Sequence, residues 1–566
     1  MDINSQKITD LLTEIEKVRR RKIVDYETSD NVEYVDGANN VKKLNIPNNN
    51  LIFGRRGSGK TTLIIASMKE KKNIVIPVDI QLIKDDEVED IIIDIIDKAL
   101  EVLKKRWTDT LKKFEVEYKK QYKGVSGKIY FFRRKRDEDV KKNYEELKGR
   151  IEKLVDEISI IDKLKEFPYE KVYSFEEREK STNNNENKNE RQKEKNAILK
   201  GLLLCKTKNK HAIGNMEASG ETTFSESENS INLRQKDTSS EVETKYKRTI
   251  SKYDVLQGER EKIAELFNIS KQIEGKGAFF YLDDFYQINL DNQPAVIQYF
   301  HDVYKLCKDG SFCFKIAALP NRLKMNPSNS VDMSFKDDFS TIKLDYDLSE
   351  LDRTRDYLIK ILSNIKIDLE LKSQDLERLF NNNEVLYYAI IATGGNPRDF
   401  LLMFADVIEK ARQENDATIK KEHIYSVVKS LRDDKDNNIE IDADIDSNLI
   451  REAVGLISKE VVGKLNTNVF LYPKSLAEKH ENLLKNLINL RYLHLIKDSV
   501  SSETRKKEEF VAYLVDMSFY AVNKRLKQGF EFVRFWEKDK ESRLLYLRKA
   551  KIWNFPDDIC EKLKIK

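Results

Sequence analysis

The chain is 566 residues long, 35 % charged and 40 % hydrophobic, with a formal net charge of +4. That length requires two or more domains with a core in each, and the near-cancelled charge excludes a protein-wide field for nucleic acid or membrane. Nineteen glycines and nine prolines point to a mainly helical protein, and four cysteines at 205, 307, 313 and 560 show no disulfide or metal spacing, so reduced thiols in a cytoplasmic protein are expected.

Met1–Arg21 is amphipathic and runs into the basic Arg19–Lys22, without the unbroken apolar stretch of a signal peptide. Nowhere do about 18 apolar residues run together, so no integral membrane segment is expected. Asn50–Phe53 reads as a buried strand and Thr62–Lys69 as a helix. Between them stands G-R-R-G-S-G-K-T, Gly54–Thr61. Glycines at 54, 57 and 59 let the backbone curl so that its N–H groups turn inward on β- and γ-phosphates. Lys60 adds a cation, and the Thr61 hydroxyl is placed for Mg2+. Gly54, Arg55, Arg56, Gly57, Ser58, Gly59, Lys60, Thr61 and Thr62 are therefore the nucleotide-binding candidates. A plain glycine-rich turn is the alternative, and the flanking strand and helix weigh against it.

Asn73–Asp79 reads as a second strand. From Asp86 to Tyr122 the periodicity predicts one long helix, with Ile91, Ile95, Ala99, Leu103, Trp107, Leu111, Phe114 and Tyr118 on one side. A second helical run carries Val140, Tyr144, Leu147, Ile151, Leu154, Ile158 and Ile161 at heptad spacing. The two suggest an antiparallel hairpin projecting from the core, or a coiled-coil dimerisation arm. Lys128–Arg136 sets three aromatics beside four basic residues, which suits stacking on bases, a membrane surface or a short packed strand. Residues 178–250, rich in Asn, Glu, Lys and Ser, predict disorder, with Ala197–Cys205 a brief apolar exception.

Gly277–Phe285 is an apolar strand ending in Asp283 and Asp284. Asp283 is placed to hold Mg2+ and Asp284 to polarise an attacking water; two acids at the exposed end of an ordinary strand are the alternative. Phe312–Leu319 predicts the neighbouring strand, whose tip offers Asn321 to the γ-phosphate and its water, against a plain loop asparagine. Thr341–Tyr346 predicts a last strand, followed by a helix from Ser349 to about Ser363. In Gly394–Asp399, Asn396 caps a helix, Pro397 takes its first position and Asp399 complements its dipole. Leu401, Phe404, Ala405, Ile408 and Ala411 turn that helix inward, which fixes Arg398 in the first turn, where it can bridge a helical lid to the γ-phosphate. The catalytic candidates are thus Asp284, Asn321 and Arg398, and the metal candidates Thr61 and Asp283.

Past the acidic Asp433–Asp446, Leu449–Leu465 and Lys474–Leu490 predict helices, and Arg491–Lys497 and Glu509–Asp516 two strands around the polar turn Asp498–Lys507. Helices followed by a hairpin suggest a winged helix. Its Arg505–Lys507 could touch DNA phosphates, whereas Glu478 and Glu481 in the second helix favour protein docking. Phe530–Trp553 predicts one more core-packed helical piece.

With these parts in order the chain resembles AAA+ P-loop ATPases, in particular the origin-recognition-complex-like clade that grades into STAND signalling ATPases. The residues that carry the resemblance are Gly54–Thr61, Asp283, Asp284, Asn321 and Gly395–Arg398, and Ala417–Lys429 is similar to the closing helix of that clade's lid. The resemblance covers roughly residues 30–80 and 250–435. It implies an α/β P-loop NTPase core with a parallel five-stranded sheet and a helical lid, ATP and Mg2+ as cofactors, and a homo-oligomer. In such an oligomer a neighbour's arginine completes the site; Arg322 and Arg353 are the candidates here. Asp284 stands where the strongest hydrolases of the family carry Glu, so a shorter reach to water implies slow turnover and a switch-like role. Bacterial chains of this architecture resemble defence ATPases that license a protein effector. The expected division is a core from 1–85 and 250–345, an insertion 86–249, a lid 346–435 and a winged-helix-like segment 445–566. The expected function is an ATP-driven switch; the alternative is a DNA-binding loader or initiator.

Overall fold

The computed structural model describes residues 2–19, 34–121, 169–178, 243–326, 337–437, 445–522, 528–537 and 540–556, apart from single positions, and scattered residues between them. Lys128–Arg136 and Ala197–Cys205 lie outside the described residues, as do nearly all of Val140–Ile161 and of 178–250.

The strands of the first part are, in chain order, β1 (Asn50–Phe53), β2 (Ile74–Asp79), β3 (Glu170–Arg178), β4 (Glu243–Ser251), β5 (Ala278–Asp283), β6 (Phe312–Ala318) and β7 (Ser340–Lys343). Five of them form one parallel sheet in the order β2-β5-β6-β1-β7. β1, β2, β5 and β6 are buried on both faces, which explains why they read as apolar runs, whereas the edge strand β7 buries only Ile342. In β5, Ala278, Phe280 and Leu282 join a cluster with the helices Lys252–Glu274 and Gln293–Leu306. Phe279 and Tyr281 point to the other face, with Leu63 and Ile64 of the loop helix Lys60–Lys69.

The insertion departs from expectation at both ends. The long helix runs Val88–Gln121, and Ile91, Ile92, Ile93, Ile95, Ile96, Ala99, Leu100, Leu103 and Trp107 are all buried in the same cluster as β5. Its first half is therefore a wall of the core and not a projecting arm. Three consecutive isoleucines leave no polar side for water. At the far end, where disorder is expected up to residue 250, β4 pairs with β3 as an antiparallel ribbon. Thr244, Tyr246, Thr249 and Ile250 supply the β-branched and aromatic content that such pairing uses. Ser251 and Asp254 then form a reciprocal capping box for Lys252–Glu274, which stops on Gly275 at φ 66°. Lys252 Nζ, buried, meets Asp90 Oδ1 at 2.6 Å, and Thr110 donates to Glu274 at 2.6 Å, so the two helices flanking the insertion are fastened together.

The C-terminal part begins with Ser447–Leu456, continued in wider turns to Leu465. It is followed by β8 (Val469–Pro473), the helices Lys474–Lys479 and Glu481–Asn489, β9 (Leu493–Ser501) and β10 (Glu509–Val515). β10 lies between β8 and β9 and is antiparallel to both; Lys551–Ile552 adds a short edge beside β8. The helix expected over Lys474–Leu490 breaks at His480, and of the piece expected over Phe530–Trp553 only Lys540–Arg548 is α-helical. One continuous buried cluster joins the N-terminal helix Gln6–Arg19, the helices Leu351–Asn364, Asn383–Ala392, Pro397–Gln413 and Lys421–Asn437, and β8 to β10. Among the described residues no helix is long and apolar enough to cross a membrane.

Candidate nucleotide site

Parallel strands deliver their following turns to the carboxyl edge of the sheet, where ligands collect. The register places Asp79 beside Asp283 and Phe53 beside Ala318. The loop after β1, the acids closing β5 and Asn321 beyond β6 therefore share one edge.

Gly57 and Gly59 hold φ of 84° and 92°, a region closed to most side chains. A Cβ on Gly57 would stand 2.7 Å from Arg398 Cβ and 2.8 Å from Asn396 Oδ1, so the lid turn rests directly on the loop. Lys60 is 6 % exposed and donates to the carbonyls of Gly54 at 2.7 Å and Arg55 at 3.2 Å. Burial pushes its ammonium pKa down, opposed by Asp284, Asp283 and Asp345. Its ammonium nitrogen is held by main-chain carbonyls, which a phosphate oxygen can replace.

Asp283 is 2 % exposed, accepts from Thr61 Oγ1 at 2.6 Å and from the Asp284 N–H at 3.0 Å. Burial, then the charge of Asp284, push its carboxyl up to about 6, against the Thr61 bond and Lys60. A hydroxyl and a carboxylate this close are hard oxygen donors, which fits Mg2+. Asp284 adopts φ 52° and accepts from Gln287 Nε2 at 3.3 Å, which keeps it beside the site. The Nδ2 of Asn321 is buried without a hydrogen-bond partner. A buried amide donor needs an acceptor, and a phosphate oxygen or its water would supply one.

In the lid, Asn396 accepts from the Asp399 N–H at 3.2 Å, capping Pro397–Gln413 as expected, and its Nδ2 also donates to Arg56 O at 2.8 Å. The Arg398 N–H reaches Gly57 O at 3.4 Å. Lys60, Thr61, Asp283 and Arg398 thus meet at one loop. The sheet order, with the loop strand between β6 and β7 and the acids on β5, decides the fold. It is that of a P-loop α/β core.

Arg55 plays a part that the sequence reading missed. Its N–H donates to Asp345 at 2.9 and 3.1 Å, its Nε to the same carboxylate at 3.3 Å, and its Nη2 to the carbonyls of Tyr346 and Gly394 at 3.3 Å each. It holds the glycine-rich loop to the lid and turns its amide away from phosphate. The only signal was an acid just past the strand beside β1. Arg353 pairs with Glu350 at 2.8 Å and lies over the Tyr346 ring, as a helix-surface partner does. Glu414, Asp416 and His423 also cluster, but His423 Nδ1 accepts from the Lys420 N–H at 3.0 Å. Its Nε2 then carries the proton and donates to Asp416 at 3.0 Å, which leaves no lone pair for a metal.

No protein-family model and no curated protein matches the chain. Among solved structures it is similar to a Walker-type ATPase of Pyrococcus abyssi, at 10 % identity over 88 % of this chain and 99 % of that one, with a TM-score of 0.34. It is also similar to Cdc6p of Pyrobaculum aerophilum, at 14 % identity over 48 % and 68 %, TM-score 0.20. The third is the ORC1 protein of Aeropyrum pernix in complex with DNA, at 12 % identity over 47 % and 71 %, TM-score 0.21. At identities and TM-scores this low, the fold rests on the sheet and loop of the chain itself.

Proposed function

We propose that the chain binds ATP with Mg2+ at the loop after β1, hydrolyses it slowly, and acts as a switch whose nucleotide state the lid passes to the C-terminal segment. The observation that carries this reading is the convergence of Lys60, Thr61, Asp283 and the Asn396–Arg398 turn on one curled loop. Backbone N–H groups of residues 57–62 and the Lys60 ammonium bind the phosphates, Lys60 exchanging its carbonyl partners for phosphate oxygens. Thr61 and Asp283 hold the Mg2+, which neutralises phosphate charge when bound. Asp284 accepts the proton of the attacking water, Asn321 orients that water, and Arg398 meets the γ-phosphate. A homo-oligomer and a protein effector are the partners this reading calls for.

Lys60→Ala should abolish ATP binding, and Asp284→Asn should bind ATP yet stop turnover. Equal hydrolysis of radiolabelled ATP by the wild type and Asp284→Asn would remove Asp284 from the base role.

A second reading, a DNA-binding loader, has its own support. The order helix, β8, two helices, β9, turn, β10, with β10 central, suits a winged helix, and Arg505, Lys506 and Lys507 are exposed in its turn. DNA affinity should then fall steeply with salt; binding without a salt slope counts against it.

A further inference from the structure

We infer that Arg491 and His494 are positioning residues for the phosphate site: the start of β9 holds the Gly394–Asp399 turn onto the loop and so sets where Arg398 lies. This deepens the ATP-binding reading above and rests on it. The turn is gripped from two sides. On the loop side, Arg55 Nη2 reaches Gly394 O at 3.3 Å, Asn396 Nδ2 reaches Arg56 O at 2.8 Å and the Arg398 N–H reaches Gly57 O at 3.4 Å. On the far side, the Arg491 guanidinium pairs with Asp399, one residue past Arg398. The His494 ring lies against Gly394, at φ 57°, so closely that any Cβ there would collide with it.

Both far-side residues are themselves anchored. His494 Nε2 bonds to Asp516 Oδ2 at 3.1 Å; Lys435 Nζ meets the same oxygen at 2.6 Å and also donates to Arg491 O at 3.2 Å. Arg491 adopts φ 64°, a conformation that glycine takes at less cost. A long cationic side chain at such a turn is explained by what it reaches, which is Asp399. A small cavity lined by Arg55, Arg56, Leu319, Lys435 and Asn489–Arg491 lies along this seam. A small displacement of β9 therefore moves Arg398 against the phosphates, and a bound γ-phosphate moves β9 in return.

The test uses the full chain, with ATP and ADP affinities from nucleotide titration, steady-state kcat and KM, and the thermal unfolding midpoint. R491A and Asp399→Asn should lower kcat, or shift the ATP-to-ADP affinity ratio, by about tenfold while KM changes far less. The exchange Asp399→Arg with Arg491→Asp should recover part of that loss. If R491A does not fold, Arg491→Lys, which keeps charge but loses the planar fork, carries the test at an unchanged unfolding midpoint. Wild-type kcat and wild-type ATP-to-ADP ratio in a folded Arg491 variant overturn the inference. Failure of the wild type itself to bind ATP overturns the underlying nucleotide reading as well, and shows before any variant is made.

Discussion

Asp283 and Asp516 are both buried, at 2 % and 0 % exposure, yet they titrate in opposite directions. Asp516 accepts from Lys435 at 2.6 Å, His494 at 3.1 Å, the Ser518 N–H at 3.1 Å and the Ser518 hydroxyl. Burial pushes its carboxyl up, but Lys435, then His494, outweigh burial and hold it far below the usual range. Asp283 accepts from the Thr61 hydroxyl and the Asp284 N–H, and burial followed by the charge of Asp284 drives its pKa up to about 6. The first is a hub whose carboxylate is held by Lys435, His494 and Ser518; the second is a carboxylate raised by burial and by a neighbouring acid, the setting in which a divalent cation is welcome. Buried charge alone does not mark a site, and the difference lies in how fully the protein satisfies it.

That contrast can be broken by substitution. The largest effect should come from Lys60→Ala, with loss of ATP binding in a titration that the wild type saturates. Next, Asp516→Asn should lower unfolding free energy by about 3–5 kcal/mol, because it strands the Lys435 ammonium in the core. The matching change Asp283→Asn should cost under about 1 kcal/mol in the nucleotide-free protein, since it removes a carboxylate that burial and Asp284 both disfavour; paired denaturation curves read both. An equal loss from the two would erase the distinction. With the Asp283 carboxyl raised to about 6, its proton is retained more by the folded state, so its contribution to nucleotide-free stability is present below the ordinary carboxylate range and lost as pH rises through 6. Mg2+-dependent ATP affinity should run the other way, weakening as pH falls below about 6, and isothermal titration of Asp283→Asn should show that slope gone. A modest effect also belongs to Asn396→Ala, which removes a helix cap and the bond to Arg56 O and should lower stability by about 1 kcal/mol.

The parts of the site that were legible in the sequence are those in which a local rule binds neighbours together. Glycines at fixed spacing, an acid closing an apolar run, and Asn-Pro-Arg-Asp at a helix start each encode their own geometry. The helix Lys252–Glu274 was equally legible from Ser251, Asp254 and Gly275, but was not read. What left no trace is pairing at a distance. Arg55 and Asp345 lie 290 positions apart, and Arg491 and Asp399 lie 92 apart; nothing in either neighbourhood names its partner. β8 escaped for another reason: five residues before a helix, ending in Pro473, are too few to show alternation. β4 was hidden by the polar composition upstream of it, since composition averages over a stretch whereas a ribbon needs only its own few residues.

β2 and β5 are adjacent in the sheet although the long insertion separates them, and Asp90 and Lys252, 162 positions apart, are fastened at the place where the chain departs and returns. Closure entropy grows only with the logarithm of loop length, so with this rivet and the buried Ile91–Trp107 stretch in place, the length of chain between Thr110 and β4 matters little to the position of Asp283. The protein therefore has a ready graft point beyond the buried Ile91–Trp107 stretch: residues between Thr110 and β4 can be exchanged, shortened or replaced by a foreign module, with the carboxylate edge left undisturbed.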